Sequence, residues 1–91
     1  MKQYTEKELK EIIENMLNEF DDCNIEVGFV PIKAITDVLE DNDWCLDGKR
    51  WNDDKFSVTS HYTCHWCDSD IYYKLDCLTG ESNLKFVNGE K

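Results

Sequence analysis

Ninety-one residues carrying 20 acidic and 10 basic side chains give a formal net charge of −10, which excludes a surface built to hold nucleic acid or anionic membrane. The length leaves room for one domain, residues 1–91, and for no second core. A hydrophobic content of 41% with 12% aromatics argues against wholesale disorder.

The N-terminus, Met1-Lys2-Gln3-Tyr4-Thr5-Glu6, lacks the apolar core of a secretory leader. No stretch approaches the length of a membrane span. The expected location is the cytoplasm (a host cell's, if a phage encodes the chain), where thiols stay reduced.

The first predicted helix opens with a capping box, Thr5 at N-cap and Glu8 three positions on. Leu9, Ile12, Ile13, Met16, Leu17 and Phe20 then recur on one helical face, and the period breaks at Asp21-Asp22. Ile25 to Val30 reads as a short strand or an extended connection. Pro31 suits the first position of a second helix running to Asp41. Its apolar stripe is Ile32, Ile35, Val38 and Leu39, with Lys33, Asp37, Glu40 and Asp41 opposite. Residues 42–54 read as a loop or short hairpin, with Asp47-Gly48 as the turn signal between Trp44 and Trp51.

From Lys55 onward the period becomes two. Phe56, Val58, Ser60, Tyr62, Cys64 and Trp66 share one face, while Ser57, Thr59, His61, Thr63 and His65 share the other. A second strand presents Ile71, Tyr73, Leu75 and Cys77, and a third presents Leu84 and Phe86. Paired residues point to the same face, so an even-numbered strand and an odd-numbered one require a loop with an even number of residues. A two-residue turn at Asp68-Ser69 satisfies this, pairing Trp66 with Ile71, Cys64 with Tyr73 and Tyr62 with Leu75. The fold class expected is α+β: two N-terminal helices on one face of a three- to four-stranded antiparallel sheet, a helical acidic half (1–54) followed by a β-meander (55–91). In so small a core Phe20, Phe56 and Tyr73 are expected to matter.

Five cysteines, an odd number without regular spacing, do not resemble a disulfide framework. Cys64-x-x-Cys67 is half of a zinc site, to be completed from His61, Cys77, His65 or Cys45. The second half-site is missing, and in an extended strand Cys64 and Cys67 would point to opposite faces. The main expectation is therefore no cofactor, with zinc bound by His61, Cys64, Cys67 and Cys77 as the alternative. No Walker loop, Rossmann fingerprint, zincin pair or nucleophile elbow occurs, so no enzymatic activity is expected.

The charge is lopsided. Residues 1–54 hold 15 acids and 6 bases, a net of −9, whereas residues 55–91 hold 5 acids and 4 bases, a net of −1. Asp37, Glu40, Asp41, Asp43, Asp47, Asp53 and Asp54 are the expected electrostatic surface, with Trp44 and Trp51 as apolar anchors beside Arg50. The length, the acid excess and the run from Asp37 to Asp54 resemble the small, acidic, single-domain inhibitors that phages and mobile elements encode, including anti-CRISPR proteins and other DNA mimics. That resemblance implies carboxylates placed where a nuclease or other basic nucleic-acid-binding protein expects phosphates. The expected partner is such a protein, with neither direct nucleic-acid nor membrane contact; a homodimer is a further option.

Overall fold

A computed structural model describes residues 4–30 and 32–89 of the chain. The elements run α1 (Glu6–Glu19), β1 (Cys23–Gly28), α2 (Ile32–Asp41), β2 (Trp44–Trp51), β3 (Ser57–Cys64), β4 (Asp70–Asp76) and β5 (Ser82–Val87). The fold is α+β, as expected, but the antiparallel sheet has five strands in the order β1-β5-β4-β3-β2.

Helix α1 begins where its capping box places it, with the Thr5 hydroxyl accepting from the Glu8 amide at 3.1 Å. It buries Leu9, Ile13 and Met16 and ends at Phe20, a left-handed residue (φ 51°) whose carbonyl accepts from the Asn88 side chain at 2.7 Å. Helix α2 buries Ile35 and Leu39; Pro31, its expected first residue, lies outside the described residues.

Both edge strands differ from expectation. β1 starts at Cys23 and pairs with β5. β2 occupies most of the segment read as a loop, because an edge strand that buries only its first residue, Trp44, shows no alternation. Its Asp47-Gly48 pair makes no hairpin; the register with β3 shifts between Leu46 and Gly48, so the glycine marks a bulge.

The meander has the expected faces from Val58 to Cys64 and from Ile71 to Leu75. Ser57, expected on the polar face, is buried, while Trp66 and Cys77, expected on the apolar faces, lie outside the strands and are exposed. The register also differs. Tyr62 pairs with Ile71, Ser60 with Tyr73 and Val58 with Leu75, each four residues from the expected partner. The last pair is Thr63 with Asp70, so residues 64–69 form the connection. That loop is even-numbered but longer than the two-residue turn, because the chain bends after Cys64 and is closed by a Cys64–Cys67 disulfide. Parity fixes only which face a strand buries and tolerates a slide of four. β3 starts at Ser57, which leaves Phe56 exposed in the β2–β3 hairpin rather than in the core.

Helix and sheet residues share one core: Leu9, Ile13, Met16, Ile35 and Leu39 meet Val27, Trp44, Tyr62, Ile71, Tyr73, Leu84 and Phe86. The helices therefore cover one side of the sheet. β1 and β2 lie at opposite edges, so α2 carries the chain across the whole sheet. Two buried phenols hold that crossover: Tyr73 donates to the Val30 carbonyl at 3.0 Å, and Tyr62 shares a 2.8 Å hydrogen bond with Thr36. Burial pushes both phenol pKa values upward. Between them Ser60 is buried with no hydrogen-bond partner for its hydroxyl among the described residues.

Tyr73→Phe leaves the Val30 carbonyl without its donor and should lower stability by about 1 kcal/mol, read as a lower urea midpoint at unchanged m. Ser60→Ala removes an unsatisfied hydroxyl and should leave the midpoint equal or higher. A loss at Ser60→Ala as large as that at Tyr73→Phe would contradict this assignment.

Candidate functional site

The two faces of the molecule carry different charge. α1 contributes Glu6, Glu8, Glu11, Glu14 and Glu19 against Lys7 and Lys10, and α2 contributes Asp37, Glu40 and Asp41 against Lys33. Eight carboxylates (five plus three) therefore face three lysines (two plus one) across the helix layer, a net of −5. Lys33 sits 2.7 Å from Asp37, and Lys10 lies 3.9 Å from Glu14. The Asp37 hydrogen bond is the main cause of the raised Lys33 pKa, and Glu6 and Glu40 add to it. Glu6 of α1 thus acts on a side chain of α2, so the acidic sides of the two helices approach each other near Lys33. The α1 acids were not among the expected site residues. Their signal was present in the sequence: Glu11 and Glu14 fall on the helix face opposite Leu9, Ile13 and Met16, and Glu6, Glu8 and Glu19 flank that buried stripe.

The expected site residues divide among three places. Asp37, Glu40 and Asp41 are exposed on α2, and Asp43 follows in a left-handed turn (φ 67°). Asp47 lies on the open face of the sheet, its Oδ2 3.3 Å from His61 Nδ1. Asp53 and Asp54 sit in the β2–β3 hairpin. Asp54 is occupied internally: it accepts from the Ser57 hydroxyl at 2.7 Å and from the amides of Phe56 and Ser57. The Ser57 hydroxyl is the main cause of its lowered pKa.

The two tryptophans part ways. Trp51 is 63% exposed at the end of β2. Trp44 is fully buried, which corrects its assignment as an anchor: it begins β2 on the helix-covered face and packs edge-on against Trp66 and Phe86. Trp66 is 54% exposed and stacks on Phe20, closing this aromatic cluster at the surface.

The open sheet face mixes signs. His61 Nε2 is 2.7 Å from Asp70 Oδ1, its Nδ1 faces Asp47, and its ring stacks on Tyr72 with centroids 4.8 Å apart. The arrangement ties β2, β3 and β4 together across their exposed side. Two shallow grooves, of about 410 and 380 Å³, lie on this face; Lys74 and Asp76 line the first, and Arg50 and His61 the second.

The zinc set expected from sequence is not assembled. Cys64 and Cys67 are bonded to each other, which also corrects the expectation of reduced cysteines. The bend after Cys64 lets the two sulfurs meet where a continuous strand would have separated them. Cys77 lies at the far end of β3, where its amide bonds the Phe56 carbonyl. At about 3.3 Å per residue, the length of β3 separates it from Cys64 by roughly 20 Å. His61 faces the carboxylates on the open side. Among the described residues no group of three or more His, Cys, Asp or Glu side chains could hold a metal ion.

No protein-family model, no curated protein and no solved structure matches this chain.

Trp44→Ala should cost about 3–5 kcal/mol, enough to unfold a large fraction of so small a domain. Trp51→Ala should leave the melting temperature within about 2–4 °C, since exposed substitutions usually stay within ±0.5 kcal/mol. Asp54 has a lowered pKa in the fold, so its contribution is present above the unfolded carboxylate pKa of about 3.9 and lost as pH falls through the folded value. The melting-temperature gap between wild type and Asp54→Ala should accordingly be open at neutral pH and close on acidification below about 4. A gap that widens in acid would contradict it.

Proposed function

We propose that this chain is a non-enzymatic acidic binding protein that inhibits a basic, nucleic-acid-handling partner, such as a CRISPR effector or another nuclease. One observation supports the reading above the others: the helix layer is densely acidic, eight carboxylates to three lysines, and so carries half of the net charge of −10, while the opposite sheet face mixes signs. A solubilising surface needs charge of either sign spread around the molecule. A densely acidic, helix-mounted face has the form that a phosphate-binding channel attracts.

Two further features agree with it. The carboxylates stand on helices whose opposite sides are anchored in the core, so their spacing is fixed before any partner arrives. Trp51, with Asp53 beside it on the β2–β3 hairpin, supplies an exposed aromatic anchor at the margin of the molecule.

The test uses purified CRISPR effectors and non-specific nucleases, reading DNA cleavage and binding together. At least one enzyme should be inhibited, with affinity that falls as salt rises, because screened carboxylates steer poorly. The triple variant Asp37→Lys, Glu40→Lys, Asp41→Lys should keep the wild-type circular dichroism and bind at least tenfold more weakly, since reversed rim charges repel a basic surface. A triple variant that inhibits as well as wild type would sink the acidic-face mechanism.

A further inference from the structure

The pairing of β2 with β3 brings together two side chains twenty residues apart. Cys45 pairs with Thr63, on the sheet face opposite the buried Trp44, and its Sγ lies 3.0 Å from Nε2 of His65. His65 is exposed and falls between Cys64 and Cys67, so the disulfide that closes this bend also holds the imidazole over the thiol. A thiol hydrogen-bonded to an imidazole can pass its proton across and leave a thiolate beside an imidazolium, the arrangement that makes a cysteine nucleophilic.

We propose that Cys45 is a reactive thiol, activated by His65, that forms mixed disulfides with small organic disulfides. The Cys45 Sγ proton moves to His65 Nε2, and the thiolate attacks one sulfur of the incoming disulfide. A bond forms between Cys45 and that sulfur while the reagent's own S–S bond breaks. The departing thiolate takes the proton from the imidazolium, so the exchange needs no other oxidant or reductant.

The remaining free thiols make the proposal sharp, because accessibility alone ranks them differently. Cys77 is exposed, whereas Cys45 is only half-exposed. Among the described residues the Cys77 thiol has no imidazole partner. Cys23 is half-buried, and burial, with Glu19, Asp21 and Asp22 nearby, raises its pKa. Exposure predicts that Cys77 reacts first; the Cys45–His65 contact predicts Cys45.

The test treats the folded, non-reduced protein with hydroxyethyl disulfide at neutral pH, a neutral probe that the protein's net charge of −10 does not repel. Acid-quenched samples are read by intact mass and peptide mapping. The first adduct should appear on Cys45, about tenfold or more ahead of Cys77, with Cys23 last. His65→Gln should slow Cys45 by about tenfold and leave the Cys77 rate unchanged, and Cys45→Ser should abolish the fast phase. Slow labelling of Cys23 reports that each variant is folded. Modification of Cys77 first in the wild-type protein overturns the proposal without any variant, and so does a Cys45 rate equal in wild type and His65→Gln.

Discussion

Two phenol hydroxyls near the middle of the sheet secure the step on which this fold depends. The chain leaves β1 at one edge and re-enters the sheet as β2 at the other, so α2 and its approach must lie across the intervening strands. Apolar contact from Ile35 and Leu39 presses the crossover down but does not fix where along the sheet it sits. Hydrogen bonds do, because they are directional: Tyr73 holds the backbone at Val30 as the chain approaches the helix, and Tyr62 meets Thr36 one turn into it. With the crossover placed, β2 falls beside β3 and the sheet reaches its fifth strand.

The same crossover makes the molecule two-sided. Once both helices occupy one face, their polar sides, rich in glutamate and aspartate, lie on that side of the molecule. The opposite sheet face keeps lysines, arginine and histidine among its acids. Asp47 and Asp70 are drawn into holding His61, and Asp54 into holding its own hairpin, so carboxylates from one run of sequence end up with different roles. A carboxylate that accepts three hydrogen bonds from its own hairpin is poorly placed to meet a partner. On the helix layer Glu8 is engaged by Thr5 and Asp37 by Lys33, while Glu11, Glu40 and Asp41 are exposed.

The helices were legible because their signals are local. Thr5 and Glu8 cap α1, and the stripes of α1 and α2 repeat at the helical period, so neither depends on distant residues. The faces of β3, β4 and β5 were legible for a related reason: alternation records which side is buried whatever the neighbour. The register was hidden, since sliding β4 by four residues along β3 keeps every side chain on its face. β2 was hidden more completely. Six of its eight residues are exposed, and its one buried residue, Trp44, was read with Trp51 as an anchor because both tryptophans sit in a polar stretch.

By itself, then, the sequence determined the α+β class, the apolar faces of both helices and of the last three strands, and an excess of acid in the first half. These follow from periodicity, capping and composition, which the chain carries whatever it touches. Tertiary structure alone decided the five-strand order, the burial of Trp44, the linking of Cys64 to Cys67 and the meetings of Cys45 with His65 and of His61 with Asp47 and Asp70. Each of these needs residues far apart in the chain to share a strand pair or a bend, and no local pattern encodes which strands become neighbours.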